Sequence, residues 1–285
     1  MANDISSELT IATAVSVLGD MLSDMSAYTL NIANETSGRS EVISVPVIST
    51  DDVARNWDAT KGYTADADSG ATTLDVTVTE RIKPFHLSDN AYNKSPMTLQ
   101  NYVAQNANEF GRYLQNLVFT AVDGVTGGTA KNASAIGVGD IKSLASALDN
   151  KGQSMNRHLV LSASAHSAIL PASAETFGQG VIEQGRFSSL YGMQIHPSTA
   201  FNTGAGKTNT FACAQNAIVV VNRRPEVQAS STLEEYTPFE VEGLGIQCAY
   251  RRFYDATKGI HYGAFTTNFG VGIANADGIA KYKNS

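Results

Sequence analysis

Cysteine is nearly missing from this sequence: Cys213 and Cys248 are the two among 285 residues. Two thiols are too few for the disulfide framework of a small secreted domain, and their separation fits no metal-binding pattern. The chain therefore reads as made in a reducing compartment, with both thiols free and buried. Charge is also scarce. Charged residues make up 16% of the chain, against about 25% in an average soluble domain, which suits a molecule whose surface is extensively covered by neighbours. The net charge of −7 excludes the surplus of Lys and Arg that displaces counterions from a phosphate backbone. Any nucleic acid nearby is expected to be met weakly and without sequence preference. No apolar run approaches the length of a membrane span. Near the amino terminus, Asp4 and Glu8 stand where a secretion signal needs Lys or Arg, and the stretch Ile11 to Leu18 is interrupted by Thr13 and Ser16. The sequons at Asn34 and Asn132 accordingly read as coincidental.

Spacings that carry chemistry are absent as well. The five histidines, His86, His158, His166, His196 and His261, form no pair at metal-ligand spacing. His158 and His196 adjoin strand-like runs and read as satisfied structural residues. The run from Asp66 through Asp68 to Gly70 starts like a calcium loop but lacks the next ligand and the distal Glu. Phe201 to Thr208 resembles a phosphate-binding loop, except that Phe201 occupies the position of its first glycine and no strong strand precedes it. No nucleophile elbow marks a serine. The expectation is a chain with no catalytic, metal-binding or cofactor-binding residues and no cofactor.

What is present is enough apolar sequence, 42% of residues, to bury roughly three-quarters of the unfolded surface in one or two domains. Residues 1–38 read as an arm, with a mildly amphipathic helix from about Ser7 to Leu22 and a polar continuation that would not fold alone. Val42 to Ile48 and Leu74 to Thr79 read as the strands of a hairpin. Between them lie some two dozen mostly polar residues containing Asp51, Asp52, Asp58, Asp66 and Asp68, with Trp57, Lys61 and Tyr63 near the middle. Connections of that length are rare in compact domains, and a lone two-stranded ribbon is marginal in water. The simplest account is a projection that lies on another subunit; the alternative is a flexible surface loop.

Ser95 and Pro96 suit the N-cap and first turn of a long helix. Leu99, Val103, Asn106, Phe110, Tyr113, Leu114, Leu117, Ala121 and Val122 then recur at three- and four-residue spacing as far as Gly124. From Val138 to Leu233 short α and β elements alternate: a helix at Ile141 to Leu148, a buried strand at Arg157 to Leu161, a helix at Ser164 to Leu170, helix or loop at Phe177 to Phe187, and strands at Gln194 to His196 and Ala217 to Val221. After Pro238 the pattern returns to β, with a parity change near Gly243 that suggests a bulge. The paired cations Arg223 and Arg224, and Arg251 and Arg252, are too few for a nucleic-acid patch. They are expected to pair with acidic residues of a neighbour, such as Glu234, Glu235, Glu240 or Glu242.

Val219 to Val227, with Asn222, Arg223, Arg224 and Pro225, and the segment Leu233 to Asp255 resemble the carboxy-terminal half of major capsid proteins of tailed bacteriophages. Leu159 to Leu170 and Tyr191 to Ser198 look like the central domain of the same family, and the order of elements is similar along almost the whole chain. The resemblance implies an α+β protein with the HK97-like capsid fold: N-terminal arm (1–38), extended hairpin loop and first peripheral strands (39–92), spine helix (93–128), axial α+β domain (129–236), and a return to the peripheral β-sheet with the C-terminus (237–285). It further implies self-association into hexamers and pentamers of an icosahedral shell around double-stranded DNA. Portal, scaffolding and possibly decoration proteins would be the other partners, with assembly in the host bacterial cytoplasm and final residence in the virion. An encapsulin-like nanocompartment shell is the nearer alternative, and a soluble α+β hydrolase or nucleotide-binding enzyme the more distant one. No charged helical segment precedes the arm, so a fused scaffolding segment is expected to be absent or already removed. Some relatives cross-link a loop lysine to a neighbour's asparagine; Lys61 is the one lysine at this tip, and nothing marks its partner. The candidate inter-subunit residues are Asp52, Trp57, Lys61, Tyr63, Arg223, Arg224, Glu234, Glu235, Arg251 and Arg252.

Overall fold

The structure is a computed structural model that describes residues 7–33, 41–48, 60, 71–86, 99–153, 156–170, 189–226, 233–241, 244–255, 257 and 260–285. In chain order it contains α1 (Ser7–Tyr28), β1 (Leu30–Ala33), β2 (Val42–Ile48), β3 (Ala71–Thr77), β4 (Thr79–His86), α2 (Leu99–Gly124), β5 (Thr129–Ala130), α3 (Val138–Asp149), β6 (Arg157–Ser162), α4 (Ala163–Ile169), β7 (Ser189–Leu190), β8 (Met193–Ser198), β9 (Thr208–Ala214), β10 (Ile218–Arg223), β11 (Leu233–Val241), β12 (Ile246–Asp255), β13 (Ile260–Ile273) and β14 (Ile279–Lys283).

The long helix α2 is the axis of the molecule. Its 26 residues span about 39 Å at 1.5 Å per residue. Val103, Ala107, Phe110, Leu114, Val118 and Val122 form its buried stripe, as the periodicity requires. The expected Ser95 cap lies outside the described residues. Along α2 runs α1, whose Thr10, Ala14, Leu18, Leu22, Met25 and Tyr28 are all buried. Gly111 permits the close approach, since a Cβ there would lie 3.2 Å from Met21 Cβ, and Gln115 Nε2 donates to the Met21 carbonyl. The expectation of an unsupported arm is therefore corrected for residues 7–33. A narrow stripe of one residue per turn buries α1 against its own chain, and β1 then pairs in parallel with β10.

The first sheet runs β1-β10-β13-β12-β11, with β4 on the opposite edge of β13. At 14 residues, β13 is long enough to serve two partners on one edge. Ile260 to Thr266 pair with β12, and Asn268 to Ile273 pair with β10. At this fork sits Asn222, with no exposed surface. Its Nδ2 donates to Thr267 Oγ1 (2.6 Å) and the Asn268 carbonyl (3.1 Å), and its Oδ1 accepts from the Gln247 amide. One side-chain amide thus replaces ladder hydrogen bonds that the parting strands cannot make.

The hairpin of β2 and β3 pairs from Val42↔Thr77 to Ile48↔Ala71. Its base is anchored within the chain, contrary to the expectation of a ribbon without internal support. Val45, Val76 and Val78 pack with Val219 and Val221 of β10. Gly270 and Gly272 of β13 make room for β3: a Cβ on Gly270 would meet the Thr77 carbonyl oxygen at 2.5 Å, and one on Gly272 would meet Val76 Cγ2 at 2.7 Å.

The second sheet runs β5-β14-β9-β6-β8-β7. One face carries Leu159, Leu161, Met193, Ile195 and Ala212 against Ile141, Leu144 and Leu148 of α3 and Ala165 and Ile169 of α4. The other face contributes Val160, Phe211 and Cys213 to the main core around α1 and α2. Sequence parity explains the division, because alternate strand residues point to opposite faces. Two strands fall outside the expected division at residues 236 and 237: β10 belongs to the first sheet, and β14 joins the second beside β9. From β14, Lys281 Nζ donates to the carbonyls of Val122, Asp123 and Val125, satisfying orphan acceptors at the end of α2. The parity change near Gly243 reflects chain reversal rather than a bulge, since Val241 pairs directly with Ile246. The irregularity in this hairpin lies instead between Leu233 and Glu235.

Candidate assembly surface

The candidate charges lie on and beside the first sheet. Arg251 and Arg252 alternate across β12, so they face opposite sides. Arg251 Nη2 lies 2.8 Å from Glu80 Oε1 on β4, and its guanidinium is 6.0 Å from the Tyr236 ring centroid. Arg252 Nε lies 3.2 Å from Glu234 Oε2 and 3.9 Å from Glu235 Oε2 on the adjacent strand, as expected where Glu235 and Arg252 are cross-strand partners. Both arginines thus have acidic partners within their own chain. For Arg252 the sequence signal was available in the β11–β12 register, which sets it opposite Glu235; for Arg251 that register does not point to Glu80.

Arg223 and Arg224 leave the end of β10 and line a groove of ≈ 390 Å³ with Glu41, Glu80, Glu226 and Asn268. The Arg224 carbonyl accepts from Asn268 Nδ2 at 3.4 Å, and the Tyr236 hydroxyl donates to the Pro225 carbonyl. The groove lies at the root of the β2–β3 hairpin, where Val78 N donates to the Glu41 carbonyl. Asp52, Trp57, Lys61 and Tyr63 lie outside the described residues, so no geometry joins them to these arginines.

One edge of the first sheet is β4. Arg81 Nη1 donates to the Tyr113 hydroxyl at 3.3 Å, and Lys83 pairs with Glu109 of α2. Pro84 removes one backbone donor from that edge. Charges and proline are devices that discourage indiscriminate strand addition. Ile82 remains 51% exposed on the same strand, on the face opposite Arg81 and Lys83.

The segment from Phe201 to Thr208 turns at Gly206 (φ 73) and enters strand β9, not a helix. Thr208 N donates to Asp123 Oδ1 at 2.7 Å, and Lys207 Nζ lies 3.5 Å from Asp123 Oδ2. A phosphate-binding loop needs a helix N-terminus and an available lysine; neither is offered here. Among the described residues, no three His, Cys, Asp or Glu side chains are placed to hold a metal ion, and no helix is long and apolar enough to cross a membrane. The Asp66 calcium-loop alternative lies outside the described residues.

Sequence reasoning missed one polar cluster. His158 Nδ1 lies 3.1 Å from His196 Nε2, and His196 Nδ1 lies 3.1 Å from Asp24 Oδ1. Strand parity placed both rings on one face of the second sheet, but nothing in the sequence indicated that α1 would bring Asp24 there.

No family model and no curated protein matches the sequence. Solved structures do match along nearly the full chain. The capsid of a native GTA particle aligns with a TM-score of 0.58 at 12% identity, covering 94% of this chain and 90% of that one. The mature capsid of bacteriophage PhiM1 aligns at 0.56 and 13%, covering 91% and 86%. The virus-like particle from Pyrococcus furiosus aligns at 0.55 and 11%, covering 95% and 98%. The chain has the α+β, HK97-like fold of these capsid structures.

Proposed function

We propose that this chain is a structural shell subunit, the major capsid protein of a tailed bacteriophage, whose copies form hexamers and pentamers of an icosahedral head enclosing double-stranded DNA. The supporting observation is the extent of the likeness: it takes in both sheets and the long helix and covers more than nine-tenths of this chain in capsids of different origin. Fold alone does not fix function, but here the molecule's own features agree with the reading. Charge is sparse, the glycine–lysine–threonine turn is occupied by Asp123, and a hairpin anchored at its base by Val45, Val76 and Val78 has a long connection rich in aromatic and acidic residues between its strands.

In this role the hairpin tip, with Asp52, Trp57, Lys61 and Tyr63, reaches a neighbouring subunit. Arg223 and Arg224 lie at the root of that projection and serve the same contact. Large projections that do not complement themselves favour head-to-tail contacts that close into rings. Portal, scaffolding and decoration proteins are the further partners, and the net charge keeps contact with packaged DNA weak. Assembly takes place in the host cytoplasm and the finished protein resides in the virion.

Negative-stain imaging of the expressed chain, with extraction of nucleic acid from infection-derived particles, tests the proposal. Icosahedral heads containing genomic DNA are the expected result. Small uniform shells without genomic DNA would favour a nanocompartment, a second reading supported by the match to the Pyrococcus virus-like particle over 98% of its length. A monomer that binds ATP, with binding abolished by Lys207→Ala, would overturn both.

A further inference from the structure

We infer that the chain of hydrogen bonds from Asp24 through His196 to His158 is an acid-released latch fastening the N-terminal helix to the second sheet. The geometry specifies the proton order. With His196 Nδ1–H donating to Asp24 Oδ1, His196 Nε2 is left as an acceptor and takes the Nδ1–H of His158; both separations are 3.1 Å. The two rings sit on neighbouring parallel strands, β6 and β8, and are 6% and 7% exposed. The carboxylate comes from α1, 172 positions away from His196.

One extra proton fits this chain, because His158 can change tautomer and present a bare Nδ1 to a cationic His196. A second proton does not fit. It sets two N–H groups face to face and two like charges about 3 Å apart in a site shielded from water. Burial, reinforced by the neighbouring His196, pulls the pKa of His158 from 6.5 to about 4.

The other titratable groups facing the pair are Asp24 and Tyr28 from α1 and Cys213 from β9. Tyr28 packs on His196 with ring centroids 5.7 Å apart, and its carbonyl lies 4.0 Å from Cys213 Sγ. Burial raises both the Tyr28 hydroxyl and the Cys213 thiol, the latter to about 12, so neither titrates in acid. Arg157 turns away to Asp149 and the Ala145 carbonyl.

The sign follows from proton counting. When α1 lifts, the burial that depresses His158 is relieved, its pKa moves back toward 6.5, and it binds more protons than in the docked state between pH 6.5 and about 4. Lowering the pH through that window therefore favours release, and the effect levels off below it.

Hydrogen exchange on the full chain tests the latch. After correction for intrinsic rates, amides of α1 from Asp24 to Tyr28 should open on the order of a hundredfold more often at pH 4 than at pH 6.5. Amides of α3 should show no such change. His158→Gln retains a donor to His196 but cannot titrate, and should flatten the response. A wild-type α1 that stays protected, or a variant that keeps the response, overturns the proposal. If the variant does not fold, isotope-edited histidine titration of the wild-type chain decides. His158 titrating near 4 in step with α1 opening supports the latch, and titration near 6.5 with α1 still docked refutes it.

Discussion

At the scale of single residues, buried polar side chains decide where strands part and where helices stop. Asn222 is the sharpest case, because two backbone groups and one hydroxyl from two strands depend on one amide. Asn222→Leu keeps the volume but leaves the Gln247 amide and the Asn268 carbonyl without that partner. The isolated subunit should lose about 3 kcal/mol or more, read from its urea unfolding midpoint. Burial acts on the thiols in a different way, raising both Cys213 and Cys248 to about 12. A disulfide-exchange reagent at pH 8 should therefore find no reactive thiol in the native chain and two after denaturation. Sequence indicated free, buried cysteines, and the structure has both buried and unpaired with one another. Sequence could not indicate the role of Asn222, since an asparagine after three valines reads equally well as a strand end.

At the scale of elements, legibility followed the contrast between faces. The helix α2 and the strands β6 and β10 were readable because their apolar residues recur at the right period or in an unbroken run. The strand β9, Thr208–Ala214, is buried at all seven positions but begins with Thr, Asn and Thr and resembles a loop. Its Asn209 Nδ2 donates to the Lys131 carbonyl and Asn284 Oδ1, partners visible only in three dimensions. The strand β4 carries Glu80, Arg81, Lys83 and Pro84, which suit an edge and disguise it as a connection. Close packing between elements can be tested at glycine. Gly270→Val should push β3 off β13 and cost about 1–3 kcal/mol, read as a lowered thermal midpoint. Gly19→Ala, in open space on α1, should raise stability by about 0.5–1 kcal/mol.

At the scale of the whole molecule, the division of labour within the hairpin is clearer than the sequence allowed. Its base belongs to the subunit through Val45, Val76 and Val78. Deleting Asp51 to Gly70 should therefore leave the far-ultraviolet circular dichroism and unfolding midpoint of the isolated subunit nearly unchanged. Particle yield, counted by negative stain, should fall sharply. Normal particles from this deletion would show that the projection is dispensable for contact between subunits. The likeness to capsid structures rests on the same large-scale order of elements, which is why it was legible from sequence while the pairing of Arg251 with Glu80 was not.

The parallel pairing of Leu30 to Ala33 with Val219 to Asn222 also governs how the chain reaches its native state. Closing a contact between such distant segments is slow, because the entropy of the long intervening loop is lost before the strand pair forms. Until β1 and the hairpin base arrive, the run Ile218 to Val221 is an uncovered, β-prone apolar segment, the kind that seeds intermolecular strand pairing. Misassembly during refolding should therefore begin at β10, and the kinetic competition between its proper cover and another chain's strand sets the yield of usable subunits.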